Sequence, residues 1–434
     1  MEFNPVIVSV ITLCILCLLK INVLFSLMIS AIVAGILAHM PISKIMELFI
    51  SGMGQNSETA LSYILLGTLA ASMTHTGLTE ILSYKISDFI KDNKYLLLFV
   101  LTIISVMSQN LIPVHIAFIP ILIPPLIPLM NKLKIDRRLI ASCLVFGLKA
   151  PYIAIPAGFG LIFQGLIADN LTQNGIPVSK MSIWHYNWIL GFAMLIALFI
   201  AIFVTYKNPR EYVDKSILMS EKTSKDIKLN KQHYITLFGA FATLIIQLIS
   251  GSLPLGALIG LGIIFGFRAI SHKNMDFLIN EGVGLMGYIS FVMLVCAGYA
   301  FVIQQTGGIE DMLNSIVPYV AQSKILAAFA MLLTGLLITM GIGSSFGTIP
   351  ILAVLFVPLS LKLGLSVPSI IIILSAAAAL GDAGSPVSET TLGPTAGLNT
   401  DNQHNHIKDT CIPTFIHYNL ALIIAAVVAV IYFK

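Results

Sequence analysis

Apolar residues run along this chain in continuous blocks rather than in alternation. Residues 6–19, 23–39, 184–206, 234–249 and 412–433 form such blocks, each near the ~20 residues that carry an α-helix across a bilayer. Lipid-spanning strands alternate sides at every residue, so unbroken blocks exclude a β-barrel. The pattern predicts an all-α polytopic membrane protein. Residues 207–232 interrupt it with Lys207, Arg210, Lys215, Lys222, Lys225, Lys228 and Lys231 and no apolar period. That stretch reads as a tether between two halves rather than a domain.

A second regularity lies in the residues that shape backbone. At an offset of 230, Gly52 and Gly54 fall on Gly282 and Gly284, Thr76-Gly77 on Thr306-Gly307, and Glu80 on Glu310. Ile119-Pro120-Ile121-Leu122 falls on Ile349-Pro350-Ile351-Leu352, Pro128-Leu129 on Pro358-Leu359, Lys132-Leu133 on Lys362-Leu363, and Pro156 on Pro386. Chance likeness between greasy helices would match Leu and Ile; matching Gly, Pro, Thr and Glu in register indicates duplication. The chain then divides into N-terminal helices (1–43), a first copy (44–205, with a re-entrant hairpin at 95–130 and a broken helix at 138–168) and a cytoplasmic linker (206–232). Connecting helices (233–273), a second copy (274–400, hairpin 324–363, broken helix 367–395) and a loop with the C-terminal helix (401–434) follow.

An odd number of crossings separates equivalent points of the copies, so the second is expected upside down, as in many secondary transporters. Charge agrees. With the linker in the cytoplasm, most Lys and Arg fall on its side, leaving Lys44, Lys180, Lys324, Lys362 and Lys434 opposite and Lys149 within the membrane. The expectation is about ten crossings plus two re-entrant hairpins, with both termini extracytoplasmic. The segments 81–90 and 311–320 read as interfacial amphipathic helices.

Composition narrows the class. Hydrophobic residues make up 57% and charged ones 10%, against about 25% charged in soluble domains, and mean hydropathy is +0.94. The net charge of +4 fits contact with anionic lipid and carries no implication of nucleic acid. The opening Met1-Glu2-Phe3-Asn4-Pro5 lacks the basic start of a signal peptide. Cys14-x-x-Cys17 reads as two small apolar residues on a membrane helix rather than a redox pair.

Candidate chemistry gathers where membrane helices cannot continue. The hairpin turns are 108–115, with Asn110 and His115, and 341–348, with Ser344, Ser345 and Thr348. The helix breaks are 149–158, with Lys149 and Tyr152, and 381–391, with Asp382, Ser385, Ser388, Glu389 and Thr390. Gly and Pro free backbone groups there, and such backbone survives in a membrane only when buried in protein or lining a cavity. Freed carbonyls with Ser, Thr, Asn and Asp oxygens suit a hard cation such as Na⁺, for which Asp382 and Glu389 are the candidate ligands; exposed helix N-termini suit a carboxylate. Blander readings stand beside these: Asp382 as a helix cap, Lys149 in a purely structural ion pair, His115 capping backbone. Asp401, His404 and His406 lack a completing ligand for a metal site and read as a solvated loop or gate contact.

The run Gly381-Asp382-Ala383-Gly384-Ser385-Pro386-Val387-Ser388-Glu389-Thr390-Thr391-Leu392-Gly393-Pro394-Thr395 resembles the signature of the NhaC-type Na⁺/H⁺ antiporter-like proteins. Ser344-Ser345-Phe346-Gly347-Thr348 is similar to that family's Gly-Thr-Ser-Trp-Gly-Thr hairpin, with Phe346 at the Trp position. The nearer match is a subgroup of antiporter-like proteins, some of which are thought to carry histidine or other amino acids. The resemblance implies membership of the ion transporter superfamily, a dimerising scaffold giving a homodimer, and elevator-type alternating access in the cell (inner) membrane. It also implies that Ser344, Ser345 and Thr348 line one side of the site and Ser385, Ser388 and Glu389 another. Copy one departs from the pattern at Asn110 and His115. Two transport readings follow, Na⁺/H⁺ antiport and Na⁺- or H⁺-coupled carriage of histidine or a basic amino acid. Neither needs a cofactor beyond Na⁺ and/or H⁺ as coupling ions. An enzyme is disfavoured, because no Ser or His sits in a recognisable nucleophile motif.

Overall fold

The computed structural model describes residues 4–19, 21–78, 81, 93–110, 119, 123, 126–213, 229–308, 311, 323–342, 345–385 and 388–433. His115, Ser344, most of the linker and all but the first residue of each predicted interfacial helix lie outside the described residues, as do the side chains of Asn110 and Glu389. In chain order the helices are α1 (Pro5–Leu18), α2 (Val23–Leu37), α3 (Ile42–Met53), α4 (Ser57–His75), α5 (Lys94–Asn110), α6 (Ile127–Lys132), α7 (Arg137–Ala154) and α8 (Phe159–Gln173). They continue as α9 (Lys180–Ile200), α10 (Lys231–Ser250), α11 (Leu253–Gly266), α12 (Met275–Gln305), α13 (Lys324–Ile342), α14 (Ser345–Lys362), α15 (Val367–Ala379), α16 (Glu389–Leu398) and α17 (Leu420–Tyr432). Irregular helical turns from His406 to Asn419 lead into α17.

By length and composition, five described helices can cross a membrane, or up to six if the bent pair α7–α8 is one span. Shorter apolar helices add α2, α5, α11, α13 and α15. The chain is a multi-pass helical membrane protein.

Local sequence sets where helices start and stop. Asp136 caps α7 by accepting from the Arg138 N–H, Ser179 caps α9, and Asn230 and His233 form a reciprocal box at the start of α10. The boundaries recur 230 residues apart: α4 and α12 end at His75 and Gln305, α5 and α13 begin at Lys94 and Lys324, and α7 and α15 begin at Arg137 and Val367. Gly77 and Gly307 follow α4 and α12 with φ of 75° and 71°, the left-handed geometry that glycine supplies at a helix end.

Helices α4 and α12, which the 230-residue offset relates, pack against each other. Ser290 donates to the Ala60 carbonyl at 2.6 Å, Gly282 lies against Thr68, and Asn274 meets His75 at 3.3 Å. Rising numbers on α4 meet falling numbers on α12, so the two run antiparallel. One contact also occurs twice with its partners exchanged: Gly52 packs on Gly298, and Gly282 on Thr68.

Candidate functional site

Two helix breaks build the site. In the first copy, α7 runs through Pro151 to Ala154, and a break at residues 155–158 bends the path by 45° into α8. Sequence alone begins this break at Lys149; the structure instead keeps Lys149 and Tyr152 on a helix, fixing both side chains to one rigid element. Gly158 makes the turn at φ 57°, and Gln164 donates to the freed Ile153 carbonyl at 3.0 Å. In the second copy the chain leaves α15 at Leu380 and re-enters helix at Glu389. Gly381 and Gly384 are left-handed at φ 83° and 97°. Asn419, from the turns before α17, accepts from the Gly381 N–H at 3.3 Å and donates to the Ala383 carbonyl at 3.1 Å. Backbone freed in the membrane is thus paired by side chains, as the lack of water there demands.

Asp382 sits in this second break, 4% exposed, and Lys149 reaches it from α7 while itself wholly buried. Lys149 Nζ lies 3.1 Å from Asp382 Oδ2, 3.3 Å from the Tyr152 hydroxyl and 3.4 Å from Ser345 Oγ. The three ammonium protons therefore have three acceptors. Tyr152 and Ser345 each point a hydroxyl at the same Oδ2, at 3.0 and 2.8 Å. The other carboxylate oxygen, Oδ1, accepts from Ser388 and, at 3.4 Å, from Thr390. Ser388 also caps α16 through the Thr390 N–H. Asp382 is therefore no mere cap on local amides: its partners are an ammonium and hydroxyls from α7, α14 and its own break. Burying such a pair is costly unless every group is satisfied, and losing one partner from a buried pair costs about 3–5 kcal/mol.

Of the remaining sequence candidates, Thr348 accepts from Thr339 at 3.2 Å and donates to the Ser345 carbonyl, pinning the start of α14. Ser385 donates to the Met340 carbonyl at 3.4 Å. The structure thus brings together Lys149, Tyr152, Ser345, Asp382, Ser388 and Thr390, with Thr348 and Ser385 as supports. Among the described residues no group of three or more His, Cys, Asp or Glu could hold a metal ion.

Aromatic rings close one side of the pair. Phe346 packs on Tyr152, Phe159 and Phe163 with centroids 5.1, 5.7 and 5.8 Å away, and Tyr63 meets Phe159 at 5.1 Å.

At the start of α7 a second charge cluster forms; the sequence singled out its Asp401 and His404 but not the arginines that meet them. Arg137 is fully buried and holds both oxygens of Asp401 at 2.6 Å, the Leu398 carbonyl at 3.0 Å and Asn131 Oδ1 at 2.9 Å. Arg210 joins Asp409 at 2.9 Å. The 401–406 loop is consequently locked rather than solvated. His404 is 2% exposed, and burial pushes it down to about 4. Burial alone would raise Asp401, but the Arg137 hydrogen bonds and charge hold it below the ordinary carboxylate value. The sequence signal was Asp136-Arg137-Arg138 abutting an apolar run; nothing in it named the distant acid.

Comparison with known proteins bears on this arrangement. A profile described as the Na⁺/H⁺ antiporter family matches residues 143–431, which span both helix breaks. The chain belongs to that family. A second Na⁺-H⁺ antiporter profile matches residues 4–90. An uncharacterized membrane protein of Vibrio parahaemolyticus is 45% identical, covering 97% of this chain and 98% of that protein. The putative amino acid transporter YuiF of Bacillus subtilis is 41% identical over the same shares. Among solved structures, the Alcanivorax borkumensis YdaH transporter shares the fold at TM-score 0.59 and 10% identity, covering 90% of this chain and 88% of that one. Neisseria gonorrhoeae MtrF shares it at 0.55 and 16%, covering 91% and 85%. The resemblance to NhaC-type antiporters read from residues 344–348 and 381–395 holds, and the chain is a membrane transporter.

Proposed function

We propose that this protein is a cation-coupled secondary transporter of the cell membrane, an Na⁺/H⁺ antiporter in which Na⁺ and the Lys149 ammonium compete for Asp382. The buried 3.1 Å contact between them carries the reading. Asp382, Ser345, Ser388 and Thr390 offer the hard oxygens that Na⁺ prefers, but the ammonium already fills that position. An arriving Na⁺ must displace it, and a displaced ammonium in an apolar interior sheds its proton. Reprotonation restores the pair and expels Na⁺, which is Na⁺/H⁺ exchange. Glu389 is a second candidate ligand beside Asp382, and Asn110 and His115 are candidates from the first hairpin.

The reading includes an inverted duplication of ten crossings and two hairpins, elevator-type movement, a homodimer and extracytoplasmic termini. The antiparallel crossing of α4 with α12, and the exchanged Gly52–Gly298 and Gly282–Thr68 contacts, support the inversion, because such exchange is what a two-fold relation generates.

Proteoliposomes given a Na⁺ gradient test the mechanism. Wild-type protein is expected to move protons against Na⁺, and Asp382→Asn to lose exchange by about 100-fold or more, as removal of one buried charge of a pair implies. Lys149→Ala should still bind Na⁺ while releasing one proton fewer. Unchanged proton stoichiometry in Lys149→Ala would refute the competition.

Amino-acid carriage is the second reading. It is favoured by the 41% identity to a putative amino acid transporter, and MtrF is itself described among antimetabolite efflux pumps.

A further inference from the structure

A polar cleft opens at the end of the molecule where α8 finishes and α9 begins, opposite the Arg137–Asp401 cluster. Asn56, Glu58, Asp169, Asn170 and Lys180 line it. Asn56 and Asn170 are 3% and 6% exposed, and each commits its amide nitrogen to a backbone carbonyl, of Met293 and Leu166 respectively. Among the described residues neither amide oxygen accepts a protein hydrogen bond, and neither is enclosed, so both remain accessible acceptors for a donor in the cleft. Neither Glu58 nor Asp169 closes an ion pair among the described residues. The Lys180 ammonium lies over Gly165, one helical turn from Asp169, where a Cβ would come within 3.4 Å of it.

The cleft's lining adjoins, in sequence, the rings packed about the buried pair. Ser62, Ile162 and Pro350 also line the cleft. They adjoin in sequence Tyr63, Phe163 and, one turn away, Phe346; Phe163 and Phe346 pack on Tyr152.

We propose that this cleft is a loading site for the zwitterionic head of an α-amino acid, its ammonium held by Asp169, Glu58 and the two amide oxygens and its carboxylate by Lys180. The proposal rests on the amino-acid reading above. The charge pattern suits a ligand of both signs better than a simple ion. A bare cation would meet the Lys180 ammonium, and a bare anion would meet two carboxylates. A zwitterion uses both signs, and charge-assisted hydrogen bonds make each end count.

The test uses full-length protein in proteoliposomes and a mixture of radiolabelled α-amino acids, with Na⁺-driven pH change as the control for folding. Asp169→Asn and Lys180→Gln should each raise the uptake KM about tenfold, the loss of one charge-assisted contact, while maximal velocity and Na⁺/H⁺ exchange stay unchanged. Inhibition by an amine lacking the carboxylate should weaken only in Asp169→Asn, and by an acid lacking the amine only in Lys180→Gln. Uptake with an unaltered KM in both variants overturns the loading site and leaves amino-acid transport standing. A raised KM for Na⁺ alone also overturns it, by making the cleft a cation site. No uptake of any amino acid by wild type overturns the transport reading and the loading site together.

Discussion

At the residue scale, what distinguishes this protein is how it accommodates charge away from water. Lys149 and Asp382 neutralise each other within a shell of hydroxyls, whereas His404 avoids charge altogether. His404 donates to or accepts from Thr410 at 2.7 Å, and its Nδ1 has no partner among the described residues. Asp136, Asp409, Arg137 and Arg210 are the charged groups around it. Its folded value of about 4 lies below the ~6.5 of a free imidazole, so the unfolded chain binds the extra proton between these values. Stability is then full above pH 6.5, falls as pH drops toward 4, and gains no further dependence below. The span corresponds to about 3 kcal/mol. Thermal unfolding in detergent should show the melting temperature falling between pH 7.5 and 5, with a shallower fall in His404→Asn. An equal slope in both proteins rules His404 out as the source.

At the element scale, glycines decide how closely helices meet. A Cβ on Gly52 would come within 2.5 Å of the Phe301 Cβ and 3.0 Å of the Ala297 carbonyl, and one on Gly282 within 2.5 Å of Thr68 Oγ1. Gly54 and Gly284, the neighbouring pair in the repeat, have nothing within 4 Å. Gly52→Ala and Gly282→Ala should each destabilise by about 1–3 kcal/mol, the usual cost of overpacking, while Gly54→Ala and Gly284→Ala leave the melting temperature unmoved. If all four behave alike, close packing of α3 and α4 on α12 is not what these glycines serve. The sequence revealed the repeat through such residues, yet it could not separate contact glycines from open ones. That distinction depends on which helix lies opposite.

At the scale of the whole molecule, the proposed inversion predicts opposite membrane faces for residues 230 positions apart. Ser43 and Lys273 are both exposed and stand 230 residues apart, each just ahead of one copy. In a background with the five cysteines replaced, Ser43→Cys should react with an impermeant maleimide from the extracytoplasmic side. Lys273→Cys should react only from the cytoplasmic side. Labelling of both from one side contradicts the inverted arrangement.

The chain's sequence by itself determined that helices cross a membrane and that chemistry gathers near two breaks, although it put Lys149 and Tyr152 inside the first break, which the structure begins only after Ala154. Continuous apolar blocks, Gly-Pro punctuation and ionisable residues inside a span are local features, and local features survive without knowledge of neighbours. Only the tertiary structure decided that Lys149 finds Asp382, that Arg137 finds Asp401, and that Glu58, Asp169 and Lys180 share one cleft. In lipid the apolar residues around a helix are nearly equivalent, so hydrophobicity does not encode which face meets which partner. The pairing is set instead by close glycine contacts and by buried polar groups that must each find a partner, and those conditions exist only when the helices are assembled.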